Sequence, residues 1–332
     1  MTARFDVLAI GNAIVDVIAP CEPVLIDREG LAPGSMTLIN ATRAEALYSR
    51  MGPGVETSGG SAANTTAGLA SLGAKVAFVG KVADDPLGAV FAREMTDMGV
   101  EFSTIPLRHG PATARCLVNV TPDGQRTMCT YLGACVELTP ADVDPEIVTS
   151  ASVVYLEGYL FDAPQARDAF AKAARAARDA GRRIALSLSD PFVAERHREA
   201  LLTFIETDVD LVFANAQEVR ALFEEQDLSR ACNALGSRVE IAAITDGAHG
   251  STIVAGDRLV GIAAAPVEKV VDTTGAGDQY AAGFLYGLVR GRDIAECGAL
   301  GALAAAEVIA HFGPRPQVCL SDLARQRGLL AA

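Results

Sequence analysis

Asp272-Thr273-Thr274-Gly275-Ala276-Gly277-Asp278 runs straight into the apolar stretch Tyr280 to Leu288. Small residues ahead of an apolar run predict a helix that starts at the glycines. Its backbone can approach a ligand closely, and the N–H groups of its first turn can face an anion. A carboxylate beside such a site repels phosphate, so Asp278 needs a reason to be there. Taking the proton of an attacking hydroxyl is one reason. The other is structural: an acidic residue complements the dipole of a helix start, and the glycines merely turn the chain.

Working outward, short runs rich in β-branched residues alternate with helical stretches: Val7 to Ile10, Val76 to Val79, Val153 to Leu156, Ile184 to Leu188, Leu211 to Ala214 and Ile241 to Thr245. That alternation predicts a parallel sheet covered by helices. Helical periodicity is clearest over Ala62 to Leu72, Pro164 to Ala180 and Ala281 to Arg290, with Gly73, Gly181 and Gly291 as C-terminal stops. Two stretches break the rhythm, residues 17–58 and 109–136. In the second, Thr113 to Val120 and Arg126 to Leu132 flank the turn Thr121-Pro122-Asp123-Gly124 and predict a hairpin. Both stretches are expected to join in a small β-rich lid over the carboxyl ends of the main sheet. Residues 1–16, 59–108 and 137–332 then form the larger body.

Half of the 332 residues are hydrophobic, enough for a sizeable core. A net charge of −13 opposes nucleic acid and anionic membrane as partners. An acidic protein that handles nucleotides must concentrate positive groups, N–H dipoles or a divalent cation at one place. Seven cysteines without a Cys-x-x-Cys pair are expected to be reduced thiols, and the N-terminal residues lack a signal-peptide pattern, so the expected location is the cytoplasm. The apolar region Ala281 to Phe312 is broken by Arg290, Arg292, Asp293, Glu296 and Glu307, which predicts two buried helices rather than a membrane span.

Further candidates sit where strands meet helices. Gly59-Gly60-Ser61-Ala62-Ala63-Asn64 precedes a small-residue helix and suits close contact with a polar ligand, or simply a loop and cap. Asn12 and Asp16, after the first strand, can jointly grip vicinal hydroxyls, or be a turn Asn and a solvated Asp. Asn215 and Glu218 follow the strand Leu211 to Ala214 and suit a Mg²⁺ hydration shell better than direct ligation. Arg126 can bring positive charge to a phosphoryl group, or be solvated. Gly-x-x-x-x-Gly-Lys-Ser/Thr, Gly-x-Gly-x-x-Gly after the first strand and His-Glu-x-x-His are all missing. The four histidines lack ligand spacing.

Gly59 to Asn64, Asn215 to Glu218 and Asp272 to Asp278, in this order, resemble the ribokinase-like (PfkB) family of sugar and nucleoside kinases, from about Asp6 to Pro316. The resemblance implies a three-layer α/β/α sandwich with a β-rich lid, an alcohol-acceptor phosphotransferase using ATP and Mg²⁺, and either a monomer or a homodimer. Within the family the likeness is greatest to the adenosine kinases, through Gly11-Asn12 with Asp16, Leu186 to Phe192 and Val209 to Asn215. Carried over by position, it implies ribose contacts at Asn12, Asp16, Gly59, Gly60, Ser61 and Asn64. It implies an anion hole at Gly275, Ala276 and Gly277, Asp278 as base, and Arg126 at the transferring phosphoryl group. Thr245, Gly247, Thr274 and Asn215 fall on the ATP side, with Asn215 and Glu218 organising Mg²⁺ through water.

Leu38, Leu132, Met128 and Tyr159 can form an apolar slot for a purine. Many relatives hold K⁺ beside the anion hole, and carbonyls near Asp272 and Gly313 offer a place for it. Several positions depart from the pattern: Ala83 replaces a signature Gly, Leu160 and Met36 replace an aromatic and a Gln near the base, and Thr274 replaces Asn. The expected reaction is transfer to the 5′-hydroxyl of adenosine. A kinase of a free sugar (ribose, fructose, a ketodeoxy sugar acid) or another nucleoside, and a catalytically silent nucleoside sensor, stay open beside it.

Overall fold

The computed structural model describes residues 3–122 and 124–331; Asp123, in the expected hairpin turn, lies outside the described residues. Its strands are β1 Phe5–Ile10, β2 Ile14–Pro20, β3 Met36–Leu38, β4 Val55–Gly59, β5 Val76–Val79, β6 Glu101–Phe102 and β7 Ala114–Val120, followed by β8 Arg126–Tyr131, β9 Ala151–Glu157, β10 Arg183–Ser187, β11 Leu211–Asn215, β12 Ile241–Thr245, β13 Ser251–Ala255 and β14 Arg258–Ile262. The α-helices are α1 Pro23–Arg28, α2 Ala41–Tyr48, α3 Ser61–Ser71, α4 Pro86–Asp97, α5 Pro145–Thr149, α6 Pro164–Asp179 and α7 Pro191–Arg196, then α8 Arg198–Asp208, α9 Ala216–Phe223, α10 Leu228–Gly236, α11 Ala276–Val289, α12 Ile294–Val308 and α13 Leu320–Gln326.

Nine strands form the main sheet in the order β14-β13-β12-β11-β10-β9-β1-β5-β6. It is parallel from β6 to β12, and β13 and β14 add an antiparallel edge that the sequence reading missed. The parallel strands are apolar on both faces, as burial between two helix layers demands. In β1, Phe5, Leu8 and Ile10 pack towards α6, α8 and α10, whereas Val7 and Ala9 pack towards α3, α4 and α11. This is the three-layer sandwich that was expected. β1 pairs with β5 on one side and with β9 on the other, so the strand order reverses there. A crevice opens at the carboxyl ends of strands at such a reversal.

Five strands, β3-β8-β7-β2-β4, form the smaller sheet. It begins earlier than residue 17: β2 starts at Ile14, because Ile14, Val15 and Asp16 pair with Ala114, Arg115 and Cys116 of β7 and with Gly59, Ser58 and Thr57 of β4. Alternation along its strands sends Asp16, Cys116, Val118, Arg126, Met128 and Thr130 to the crevice. Val15, Val17, Leu117 and Cys129 take the opposite face, where they pack with Leu47 of α2. Residues 17–58 are thus not only β: they also form α1 and α2, and α2 covers the outer face of the lid. Asn40 caps α2 through its side chain, which accepts from the Arg43 N–H at 2.9 Å.

Candidate active site

One cleft of about 700 Å³ lies between the lid and the carboxyl ends of the main sheet. That size suits a small-molecule ligand. Asn12, Asp16, Leu38, Gly60, Ser61, Asn64, Arg126, Met128, Leu132, Tyr159, Asn215, Glu218, Thr245 and Thr274 to Asp278 all line it. Two expected contacts do not. Gly59 stands behind Asp16, where an added Cβ meets the carboxylate at 2.5 Å, so its small size sets the depth of that side chain. Gly247 opens a short 3₁₀ turn beyond β12, outside the cleft wall.

Asp278 sits in the first turn of α11, which begins at Gly275 with φ 78°. A side chain there strains the backbone and drives a Cβ to 2.6 Å from Pro314, so glycine is required on two counts. The N–H groups of Gly277 and Asp278 have no partner among the described residues. Ser61 Oγ donates to Asp278 Oδ1 at 2.6 Å and Asn64 Nδ2 donates to Oδ2 at 3.1 Å. Burial pushes the Asp278 carboxyl up to about 6, against the opposing pull of Ser61, Asn64 and Arg315. A carboxylate with that affinity is a usable base at neutral pH.

Gln279 ties the glycine-rich turn to its neighbours, donating to the carbonyls of Asn64 at 2.9 Å and Pro314 at 3.0 Å. Asp272 braces the same turn. Its Oδ1 accepts from the Thr274 N–H and Oγ1 at 3.0 and 2.7 Å, and its Oδ2 accepts from the Gly313 N–H at 3.0 Å. Arg126 reaches across from the lid to make an ion pair with Asp272. Burial raises the Asp272 carboxyl, but the bonds from Thr274 and Gly313 and the Arg126 charge outweigh it and hold it low. Arg126 therefore lines the cleft as a paired cation.

On the opposite wall, the Asp16 carboxylate has no hydrogen-bond partner among the described residues, and burial raises it to about 6 against Arg315 and Arg126. Asn12 Nδ2 donates to Glu157 Oε1 at 2.7 Å, which leaves Asn12 Oδ1 a buried acceptor without a partner. Glu157, absent from the sequence reading, is the hub here. Its Oε2 also accepts from the backbone N–H of Ala62 at 2.9 Å and of Asn12 at 3.3 Å. Burial raises it to about 7, opposed by those bonds and reinforced by Asp278. Its place at the carboxyl end of an almost wholly buried strand was the available signal.

Phe192, Ser189 and Asp190 also line the cleft and were not assigned roles, and Arg315 lies just behind it. Phe192 is 68% exposed and Leu38 58%, so they and Tyr159 present open apolar surface.

Asn215 and Glu218 satisfy each other at the start of α9: Asn215 Nδ2 and N donate to Glu218 Oε1 and Oε2 at 2.7 and 2.9 Å. Burial raises Glu218 to about 7. Among the described residues no group of three His, Cys, Asp or Glu is placed to hold a metal ion directly. Both Glu218 oxygens are already engaged by Asn215, so the pair suits contact with a cation through water better than direct ligation. No helix among the described residues is long and apolar enough to cross a membrane.

The model of the pfkB family carbohydrate kinases matches residues 34–319. An adenosine kinase structure from Sinorhizobium meliloti is 52% identical, with a TM-score of 0.90, over 98% of this chain and 100% of that one. A probable sugar kinase from Rhizobium etli CFN 42 is 47% identical, with a TM-score of 0.92, over 99% and 100%. The 5-dehydro-2-deoxygluconokinase of Shouchella clausii is 28% identical over 96% of this chain and 94% of its own. With the glycine-started helix, the buried carboxylate and the lid in place, this chain belongs to the pfkB family of carbohydrate kinases and is a phosphotransferase with an alcohol acceptor.

Proposed function

We propose that the protein transfers the γ-phosphoryl group of ATP to the 5′-hydroxyl of adenosine, giving AMP and ADP. The reading rests on one observation: Asp278 stands between two unlike halves of a single cleft. On one side, Asp16 and Asn12 Oδ1 are acceptors without a partner among the described residues and suit vicinal hydroxyls, and Leu38, Leu132, Tyr159 and Phe192 add apolar lining that suits a purine. On the other, the N–H groups of Gly277 and Asp278, without a partner among the described residues, share the cleft with Thr273 and Asn215 and suit polyphosphate. The name of the Sinorhizobium relative agrees with this acceptor.

In the proposed reaction, Asp278 accepts the proton of the 5′-hydroxyl as its oxygen attacks the γ-phosphorus. The bond from that phosphorus to the bridging oxygen breaks, and ADP leaves. The Gly275 to Gly277 backbone stabilises charge on the transferring group. Arg126 leaves Asp272 to meet that group as the lid closes. Mg²⁺, when bound with ATP, neutralises phosphate charge, and Asn215 and Glu218 would hold its water shell. Carbonyls near Asp272 and Gly313 would hold K⁺.

Measuring ADP release from Mg-ATP with adenosine, inosine, guanosine, ribose, fructose and a ketodeoxy sugar acid tests this reading. Adenosine is expected to give the highest kcat/KM. A sugar that exceeds it moves the assignment to a free-sugar kinase, and no acceptor-dependent release with tight nucleoside binding makes the protein a sensor.

A further inference from the structure

Gly313-Pro314-Arg315 crosses behind the catalytic turn: the Gly313 N–H donates to Asp272, the Pro314 carbonyl accepts from Gln279, and Pro314 packs on Gly275. Arg315 goes further, with its side chain only 17% exposed. Its Nε donates to Asn64 Oδ1 at 3.3 Å and its Nη1 to Ser58 Oγ at 2.7 Å, with Glu94 Oε2 4.0 Å away. Glu94 in turn accepts from the Ser58 N–H and Oγ at 2.6 and 2.9 Å. Nη2 is buried with no partner among the described residues.

We propose that Arg315 is a positioning residue for Asp278, acting through Asn64 and through its own buried charge. The geometry permits one orientation of the Asn64 amide. A guanidinium has no acceptor, so the amide oxygen must face Arg315, and its NH₂ is then left to point at Asp278 Oδ2, which can only accept when ionised. Donation into the oxygen also polarises the NH₂ towards the carboxylate. The chain Glu94, Ser58, Arg315, Asn64, Asp278 thus links lid strand β4 and helices α4, α3 and α11, and sets the direction in which the base points.

The charge has a second effect. Asp278 faces Glu157, Glu218, Tyr155 and Tyr159 as well as Arg315, and among these Arg315 is the sole cation. It also faces Asp16 and Glu94. Two carboxyls already raised by burial, Asp16 and Asp278, have this guanidinium holding them down.

This inference rests on Asp278 being the base. Acceptor-dependent ADP release against pH is compared in the parent, Arg315→Met, Arg315→Lys and Asp278→Asn, each checked by melting. For Arg315→Met the acid limb is expected to move up by about one pH unit and turnover near neutrality to fall about tenfold or more, with KM for ATP within about twofold. Arg315→Lys keeps the charge but one fewer contact, so its acid limb stays in place while turnover falls about threefold or more. A folded Arg315→Met with the parent's acid limb and turnover overturns the proposal. If that variant does not fold, Arg315→Lys with full turnover overturns it instead. An active Asp278→Asn sinks the base reading itself, whereas an inactive one beside an unmoved Arg315→Met sinks only the role of Arg315.

Discussion

Helices α9 and α11 both begin at the cleft, and they begin in opposite ways. At α9, Asn215 Oδ1 accepts from the Gln217 and Glu218 N–H groups at 2.9 Å each, and Glu218 returns the bond, so the helix start is closed by its own side chains. At α11 the capping position is a left-handed glycine with no side-chain cap, and the first turn keeps free donors. A helix end closed by a reciprocal box is a stable structural unit, while an uncapped one is stabilised by whatever anion it meets. One terminus is closed by the fold, and the other is left open to an anion.

The strongest way to break that contrast is Asp278→Asn. Turnover is expected to fall by about two or more orders of magnitude in steady-state ADP release, while nucleoside binding by calorimetry stays near the parent's. Gly275→Ala comes next. It forces a side chain into a left-handed turn against Pro314, and is expected to cost about 1–3 kcal/mol in urea unfolding and about tenfold or more in turnover. Asn215→Ala removes the box at α9, with an expected loss of about 1–2 kcal/mol of stability and a smaller drop in turnover than at α11. Equal losses of turnover at the two helix starts would erase the distinction between them.

The smallest effect is a dependence on pH whose sign differs for rate and stability. Turnover is expected to fall as pH drops through about 6, where Asp278 takes up its proton. Asp16, Glu157, Glu218 and Asp278 all bind protons more tightly folded than unfolded, their carboxyls being raised to between about 6 and about 7. The ligand-free protein therefore loses stability as pH rises from the unfolded carboxyl range through those values. Melting is expected about 2–4 °C higher near pH 5 than near pH 8, and Asp278→Asn should flatten that slope.

The elements legible in the sequence are those with local periodicity. β5 and β12 match their expected bounds, and α3, α6 and the β7–β8 hairpin were visible in nearby residues. α1 and α2 were not: at six and eight residues they are too short to show a clear helical period. At the site, the glycine-rich turn and Asn12, Asp16 and Asn64 could be read because each sits in a motif. Glu157 had only its place at a strand's carboxyl end to mark it, and Arg315 had nothing. Their partners are 145 and 251 residues away, and a contact across such a separation leaves no periodicity in either segment. Residues 17–58 taught the reverse lesson, that a lid needs helices to cover the face its strands do not turn to the ligand.

The loop at Gly313 to Arg315 also sets when the enzyme comes into being. Every strand of both sheets is encoded by residue 262, and the glycine-rich turn by residue 278. Yet Gly275, Gln279, Asp272 and Asn64 all take their final contacts from residues 313–315. During synthesis the chain folds from its N-terminus onwards, so the sandwich and lid can assemble on the ribosome while the base still lacks its backing. The brace is made 35 residues after the turn it supports, so Asp278 gains its backing only once residues 313–315 have followed it off the ribosome.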